Sequence, residues 1–295
     1  MLPNFLIIGA PKAGTTWLYS RLRSHPDVFM PSVKELGFFD HKKTDSKKSS
    51  TFETKDLDWY KYHFRNARNE SAVGEATADY LWVSSAPRRI YELIPNVRLI
   101  VCLRHPTVRA WSDYWMVRGM NNSIPEFGRF VEQGDNRFIQ LGLYGKHLNR
   151  YLSFFEREQF LILIHEEVFS NPSQSLNQIC SFLGVDDTFY QDQPWITEVE
   201  NPSSTIRLML LNKLIVVIAT WMRHTEGARQ VLDALKATGI TDLIKGANRE
   251  PREYPEMDPE VRRELDKKYV STVRRVERIL GREIEAWRDK MVLEK

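Results

Sequence analysis

At 295 residues, 42% hydrophobic and 27% charged, the chain carries the side chains for a sizeable core, which excludes disorder as its default. A net charge of +3 and a pI of about 8.7 exclude the strongly basic surface of a nucleic-acid binder, while leaving room for an anion held locally. Two cysteines, Cys102 and Cys180, form neither a disulfide framework nor a zinc-ligand spacing, and their apolar surroundings make them core thiols.

In chain order, "FLIIG" (5–9) reads as a buried strand and "TTWLYSRLRSH" (15–25) as a helix, with a glycine-bearing loop between them. No basic leader or cleavage segment precedes Phe5, so neither a signal peptide nor an anchor is expected. "HKKTDSKKSSTFETK" (41–55) is polar and aperiodic, hence a loop. "SAVGEAT" (71–77), "VRLIVCL" (97–103) and "QFLILIH" (159–165) read as strands; "APRRIYELI" (86–94), "PTVRAWSDYWMV" (106–117) and "PSQSLNQICSFLG" (172–184) read as helices. "IRLMLLNKLIVVIATWM" (206–222) contains Arg207 and Lys213 and is too short to span a bilayer comfortably, so a buried helix is expected there, with a membrane-touching or substrate-facing helix as the alternative and no integral membrane segment. "KGANREPREYPEMDP" (245–259) is a loop with three prolines, and "PEVRRELDKKYVSTVRRVERILG" (259–281) is a long charged helix. Strands alternating with helices predict an α/β fold, a mainly parallel sheet flanked by helices. No repeat or composition shift divides the chain, so one domain over 1–295 is expected, with inserted loops and helices within 116–158 and 200–258.

The loop "GAPKAGTT" follows a strand and opens a helix, a unit that turns backbone N–H groups and the positive helix end toward one anion. Gly9 and Gly14 have the spacing of the nucleotide-binding G-x-x-x-x-G-K-[ST] loop, but Thr15 stands where lysine should be and the lysine is Lys12. Its ammonium should meet a shorter anion near the crown of the loop. No aspartate ends an early apolar strand to hold magnesium, since "LIVCLRHP" ends in Arg104. An ATP-dependent kinase is therefore disfavoured; a non-catalytic nucleotide-binding module remains a rival of another class.

"PKAGTTWL" resembles the 5′-phosphosulfate loop of the sulfotransferases that use 3′-phosphoadenosine 5′-phosphosulfate (PAPS). The resemblance implies a P-loop-type three-layer α/β fold, with Lys12 on the bridging or leaving oxygens, Ala13, Gly14, Thr15 and Thr16 as donor contacts, and Trp17 against adenine or in the core. The donor's 3′-phosphate needs a second element, and "RHPTVRAWS" (104–112) resembles the family's R-x-P-x-x-R-x-x-S motif, with Arg104 and Ser112 as ligands. Arg109 fits the same pattern, or faces solvent or an acidic neighbour. A third contact is placed in "ENPSSTIRL" (200–208), at Ser203, Ser204 and Arg207, where a helix cap is the alternative.

"KELGFFD" (34–40) resembles the K/N-E-x-x-F-F-D segment of the heparan sulfate/glycosaminoglycan-type and related bacterial branch, which makes Glu35 the catalytic general base; a plain pair with Lys34 is the alternative. Asp40 is a structural carry-over. "GEATADYL" (74–81) resembles the branch's E-K-T/S-P-x-Y segment with Ala76 in place of its lysine and Ala78 in place of its proline, leaving Glu75 as a secondary, substrate-side candidate. "GLYGKHLNRYLSFF" (142–155) implies acceptor contacts at Tyr144, Lys146 and His147, or else a solvated helix face. The reading implies PAPS as donor, no metal, no nucleic acid, and a hydroxyl on a glycan, glycolipid or secondary metabolite as acceptor, with a glycan preferred. It also implies a bacterial-type cytoplasmic enzyme, unless an anchor precedes the chain in a longer protein.

Overall fold

The computed structural model describes residues 1–40, 56–121, 123–191, 193–197 and 254–288, together with the backbone of 204–206 and 249–251. The sequence expectations for 41–55, for 206–222 beyond Ile206, and for Ser203 and Arg207 lie outside the described residues.

The apolar runs become a sheet of five parallel strands. β1 (Phe5–Gly9) is buried throughout and lies at the centre of the order β2-β3-β1-β4-β5, with β2 at Val28–Phe29, β3 at Ala72–Ala76, β4 at Arg98–Leu103 and β5 at Phe160–Ile164. All four pairings are parallel. A strand covered on both faces reads as a continuous apolar run, which is why FLIIG, RLIVCL and FLILI were legible. The two-residue edge strand β2 carries no such run.

Parallel strands require crossovers, and helices supply them. α1 (Thr15–Arg23) links β1 to β2, and α2 (Leu57–Tyr62) precedes β3. A short 3₁₀ turn, Ala78–Leu81, and α3 (Ala86–Leu93) lead to β4. Between β4 and β5 come α4 (Pro106–Met120), α5 (Phe127–Gln133), α6 (Arg137–Gln140) and α7 (Tyr144–Leu152). α8 (His165–Ser170) and α9 (Pro172–Leu183) follow β5, and α10 (Pro259–Leu280) and α11 (Glu285–Arg288) come last. α10 starts where the sequence pattern starts it: Asp258 accepts the N–H groups of Glu260 and Val261, and Pro259 opens the first turn.

The chain divides into two compact units. The first, residues 1–113, 127–200 and 257–295, holds the sheet and its helices. In its core Phe5, Ile7, Ile100, Cys102, Leu161 and Leu163 of the sheet pack with Leu18 and Leu22 of α1 and Leu176, Ile179 and Cys180 of α9. Both cysteines are free and buried there, and burial pushes the Cys180 thiol up to about 12. The second unit, residues 114–126 and 201–256, contains the antiparallel pair β6 (Ser204–Ile206) and β7 (Arg249–Pro251), Trp115 stacked with Tyr254 at 6.1 Å, and Arg118 paired with Glu126.

Gly74 in β3 lies under the Phe5 ring, where an added Cβ would come 2.3 Å from Cζ of a fully buried side chain. Gly74→Ala is therefore expected to destabilise the protein by about 1–3 kcal/mol through overpacking, read as a lower midpoint of urea unfolding.

Candidate active site

The parallel register brings the carboxyl ends of β1, β3, β4 and β5 to one edge, where open α/β sheets bind ligands. At that edge the chain leaves β1 with Ala10 N–H bonded to the carbonyl of Cys102 at 2.7 Å, turns through Lys12, and enters α1 at Gly14. Gly14 has φ 90°, and a Cβ there would sit 3.0 Å from the Phe169 ring and 3.2 Å from Nδ1 of His165, so both backbone and space demand glycine. The first-turn N–H groups of α1 have no acceptor inside the helix and no side-chain cap, and the first turn itself carries no acidic residue. That terminus is suited to an anion.

Two cationic residues adjoin it. Lys12 occupies the crown of the loop with φ 67°. Arg104, just past β4, donates from Nη1 to the carbonyl oxygen of Lys12 at 3.3 Å, and its own carbonyl accepts the Tyr144 hydroxyl at 2.9 Å. Ser112 is buried on α4. Arg109 takes the acidic-neighbour alternative: fully buried, it pairs with Asp113 at 3.4 Å and donates to the carbonyl of Phe138.

Glu35 is bonded to the chain at the end of β3. Its φ is 59°, so Lys12 and Glu35 are the two non-glycine residues with positive φ among the described residues. Such backbone costs of order 1–3 kcal/mol and persists only where surrounding contacts enforce it. Here the N–H of Glu35 donates to the carbonyl of Ala76, and Oε2 accepts the N–H of Ala78, both at 2.9 Å. Oε1 pairs with Nζ of Lys34, which lies 3.5 Å from the Thr15 hydroxyl. Lys34 thus connects the carboxylate to the start of α1. The Glu35 side chain stays 45% exposed while that of Lys34 is 18% exposed, so the carboxylate remains reachable from solvent.

Other expected residues are placed differently. Trp17 is 2% exposed and donates from Nε1 to the carbonyl of Ile196 at 3.1 Å, so it takes the core alternative and has no open face for adenine. The aromatic that is 37% exposed beside Gly14 is Phe169, 5.1 Å from Trp17 and 4.5 Å from the His165 ring; neither residue was singled out from sequence. Their signal was position, at and just beyond the end of a buried strand. Tyr144 and His147 face inward: the Tyr144 hydroxyl holds Arg104, and Nε2 of His147 meets the carbonyl of Gln140 at 2.7 Å. Arg150 can only donate, so Nδ1 of His147 accepts and Nε2 carries the proton; burial lowers this histidine to about 4. Lys146 alone of the three is exposed. Asp40 folds back over Gly37.

Glu75, expected on the acceptor side, is enclosed at 1% exposure. Tyr60 and Tyr80 donate to Oε1 at 2.9 Å each, and Thr77 donates to Oε2 at 2.7 Å. Burial raises its carboxyl to about 7, against the three hydroxyls, which lower it; the charge of Glu35 adds to the rise.

The family model described as sulfotransferase domain matches residues 2–214. Heparan sulfate glucosamine 3-O-sulfotransferase 6 of Homo sapiens is 31% identical over 190 residues, 62% of this chain and 52% of the relative. Carbohydrate sulfotransferase 15 of Homo sapiens is 27% identical over 268 residues, 70% of this chain and 47% of the relative. The chain thus spans about half the length of the curated relatives it matches. A crystal structure of a sulfotransferase from Alicyclobacillus acidocaldarius superposes with a TM-score of 0.68 at 26% identity, covering 98% of this chain and 99% of that one.

The Glu75 shift has a sign that can be measured. A folded pKa of about 7 against an ordinary 4.5 means the native state holds the proton more tightly. The resulting stabilisation is complete below the ordinary value and lost as pH rises through about 7. The stability of the wild type relative to E75Q is expected to fall between pH 5 and pH 8 in urea unfolding; a difference independent of pH would contradict the buried carboxyl.

Proposed function

The chain belongs to the sulfotransferase-domain family, and from that premise we propose that it transfers the sulfuryl group of PAPS to an acceptor hydroxyl, with Glu35 as general base. The observation that carries this reading is the convergence of Lys12, Arg104 and the Glu35–Lys34–Thr15 connection on the start of α1. The glycine cradle at Gly14 and the first turn of α1, free of acidic side chains, fit the phosphosulfate end of the donor.

PAPS supplies an activated sulfuryl group whose bond to the 5′-phosphate oxygen breaks as the bond to the acceptor oxygen forms. Glu35 takes the proton of the attacking hydroxyl. Lys12, with the N–H groups of Gly14, Thr15 and Thr16, balances the charge gathering on the 5′-phosphate. Arg104, with Ser112, takes the 3′-phosphate, and Ala13 lines the loop. Phe169 offers the exposed aromatic face beside Gly14 that Trp17 lacks. Lys34 stands where a cation is needed between donor loop and base, so that Ala76 can replace the family lysine in the segment 75–80.

The acceptor is proposed to be a carbohydrate hydroxyl, because the similar human proteins are named for heparan sulfate glucosamine and for carbohydrate. Lys146 is the solvent-facing candidate on α7 for such a ligand. No helix of the described residues is long and apolar enough to cross a membrane. The kinase alternative is disfavoured by Thr15 at the position of the nucleotide-loop lysine.

The adenosine 3′,5′-bisphosphate product of PAPS is expected to raise the melting temperature, with magnesium–ATP inert. Transfer from radiolabelled PAPS to an acceptor panel of glucosamine-containing oligosaccharides, glycolipids and hydroxylated small molecules should fall about 10²–10⁴-fold in E35Q. K12A should lose both nucleotide stabilisation and transfer. Unchanged transfer in both variants would refute the assignment, and nucleotide binding without any transfer would favour a non-catalytic module.

A further inference from the structure

Beneath Glu35 lies a buried carboxylate that the transfer chemistry leaves unused. The three hydroxyls of Tyr60, Tyr80 and Thr77 all point at Glu75, and they come from α2, from the 3₁₀ turn Ala78–Leu81 and from the residue before it. Once ionised, above about pH 7, Glu75 only accepts, so each hydroxyl commits its one proton inward and turns its lone pairs outward. The lone pairs of Thr77 and Tyr80 meet three consecutive amides. Gly37 N–H donates to Oγ1 of Thr77 at 3.3 Å, and the N–H groups of Phe38 and Phe39 donate to the Tyr80 oxygen at 2.9 and 3.4 Å.

The same turn is held from its carbonyl side. Arg89 of α3 donates to the carbonyls of Phe38 and Phe39, each at 3.0 Å, while the Phe38 ring stacks on Tyr60 at 4.3 Å with the planes 8° apart. Glu35 sits two residues before this clamped turn, bonded through its own N–H and carboxylate to Ala76 and Ala78, the residues around Thr77. Nothing in the network touches solvent at Glu75, so it cannot meet an acceptor.

We propose that Glu75 is a positioning residue: as the acceptor-only centre of a hydroxyl network, it orients Thr77 and Tyr80 to fix the turn 37–39 and thereby holds Glu35 against the donor loop. The catalytic half of this statement rests on Glu35 being the base; the positioning half does not. A glutamine at 75 keeps the shape but presents an N–H₂ donor, which forces at least one hydroxyl to reverse.

Hydrogen exchange of the peptide spanning Leu36–Asp40 at pH 8, where Glu75 is ionised, read by mass spectrometry with no nucleotide or acceptor present, tests the positioning. In E75Q exchange of the 37–39 amides is expected to quicken about tenfold, the loss of one net hydrogen bond, with β1 protection unchanged. Unaltered exchange overturns the proposal. Should E75Q fail to fold, Y80F leaves Glu75 in place and removes the acceptor of the Phe38 and Phe39 amides; unaltered exchange there overturns it equally. Turnover with PAPS and a glucosamine-containing oligosaccharide tests the catalytic half. E75Q is expected to lower kcat at unchanged KM for PAPS in the wild type and to change little in an E35Q background. An equal loss in both backgrounds overturns the coupling to Glu35. A wild-type protein without transfer activity would remove the base reading, while the exchange result would still decide whether Glu75 fixes the turn.

Discussion

β1 is paired in parallel register on both sides, Leu6 opposite Glu75 in β3 and Leu99 in β4. That double pairing places the residues after three strands at one edge: Lys12 after β1, Thr77 after β3, and Arg104 after β4. Nothing else could bring a loop at residue 12 and an arginine at residue 104 to 3.3 Å, since no local structure links them. The interior strands have no edge to slip along and no solvent face, so register is fixed by burial of every side chain in β1. The chemistry at the edge inherits that rigidity.

Charge is then arranged in two layers. The outer layer is reachable: Lys12, Arg104, Lys34 and the carboxylate of Glu35 around the start of α1. The inner layer is closed, with Glu75 ringed by hydroxyls and Tyr144 bonded to the carbonyl of Arg104. Tyr144 bonds to the backbone of the residue that carries an outer charge, and Glu75 reaches the turn beside Glu35 through Thr77 and Tyr80. The low local dielectric makes such inner bonds costly to leave unmade, and they resist rearrangement for that reason.

The sheet was legible because β1, β4 and β5 are apolar runs of strand length, and α9 and α10 because proline opens them and glycine follows them. β2 was not, since two residues at a sheet edge carry no period. In the site, Lys12, Arg104 and Glu35 were found through motif resemblance, and their mutual placement is tertiary. The inward turn of Tyr144 and His147 could have been read: with Leu148 and Tyr151 they stand at i, i+3, i+4 and i+7, the buried stripe of α7. Trp17 likewise belongs to the stripe with Leu18 and Leu22. Glu75 hid its role because Tyr60 reaches it from a separate helix, although Thr77 and Tyr80 stand close in sequence. The positive φ at Lys12 and Glu35 had no sequence signal, as neither lysine nor glutamate favours that conformation.

Those two dihedral angles set the residues apart in a further respect. At φ 67° and 59° a glycine would be the more comfortable occupant, lowering the energy of the folded backbone while deleting the side chain. Lys12→Gly and Glu35→Gly would relieve that backbone strain while removing the side-chain contacts each residue makes. Relief of backbone strain at these positions would come at the cost of the side chains that the proposed transfer uses, which marks the loop crown and the turn before Phe38 as places where stabilising designs should leave the residue alone.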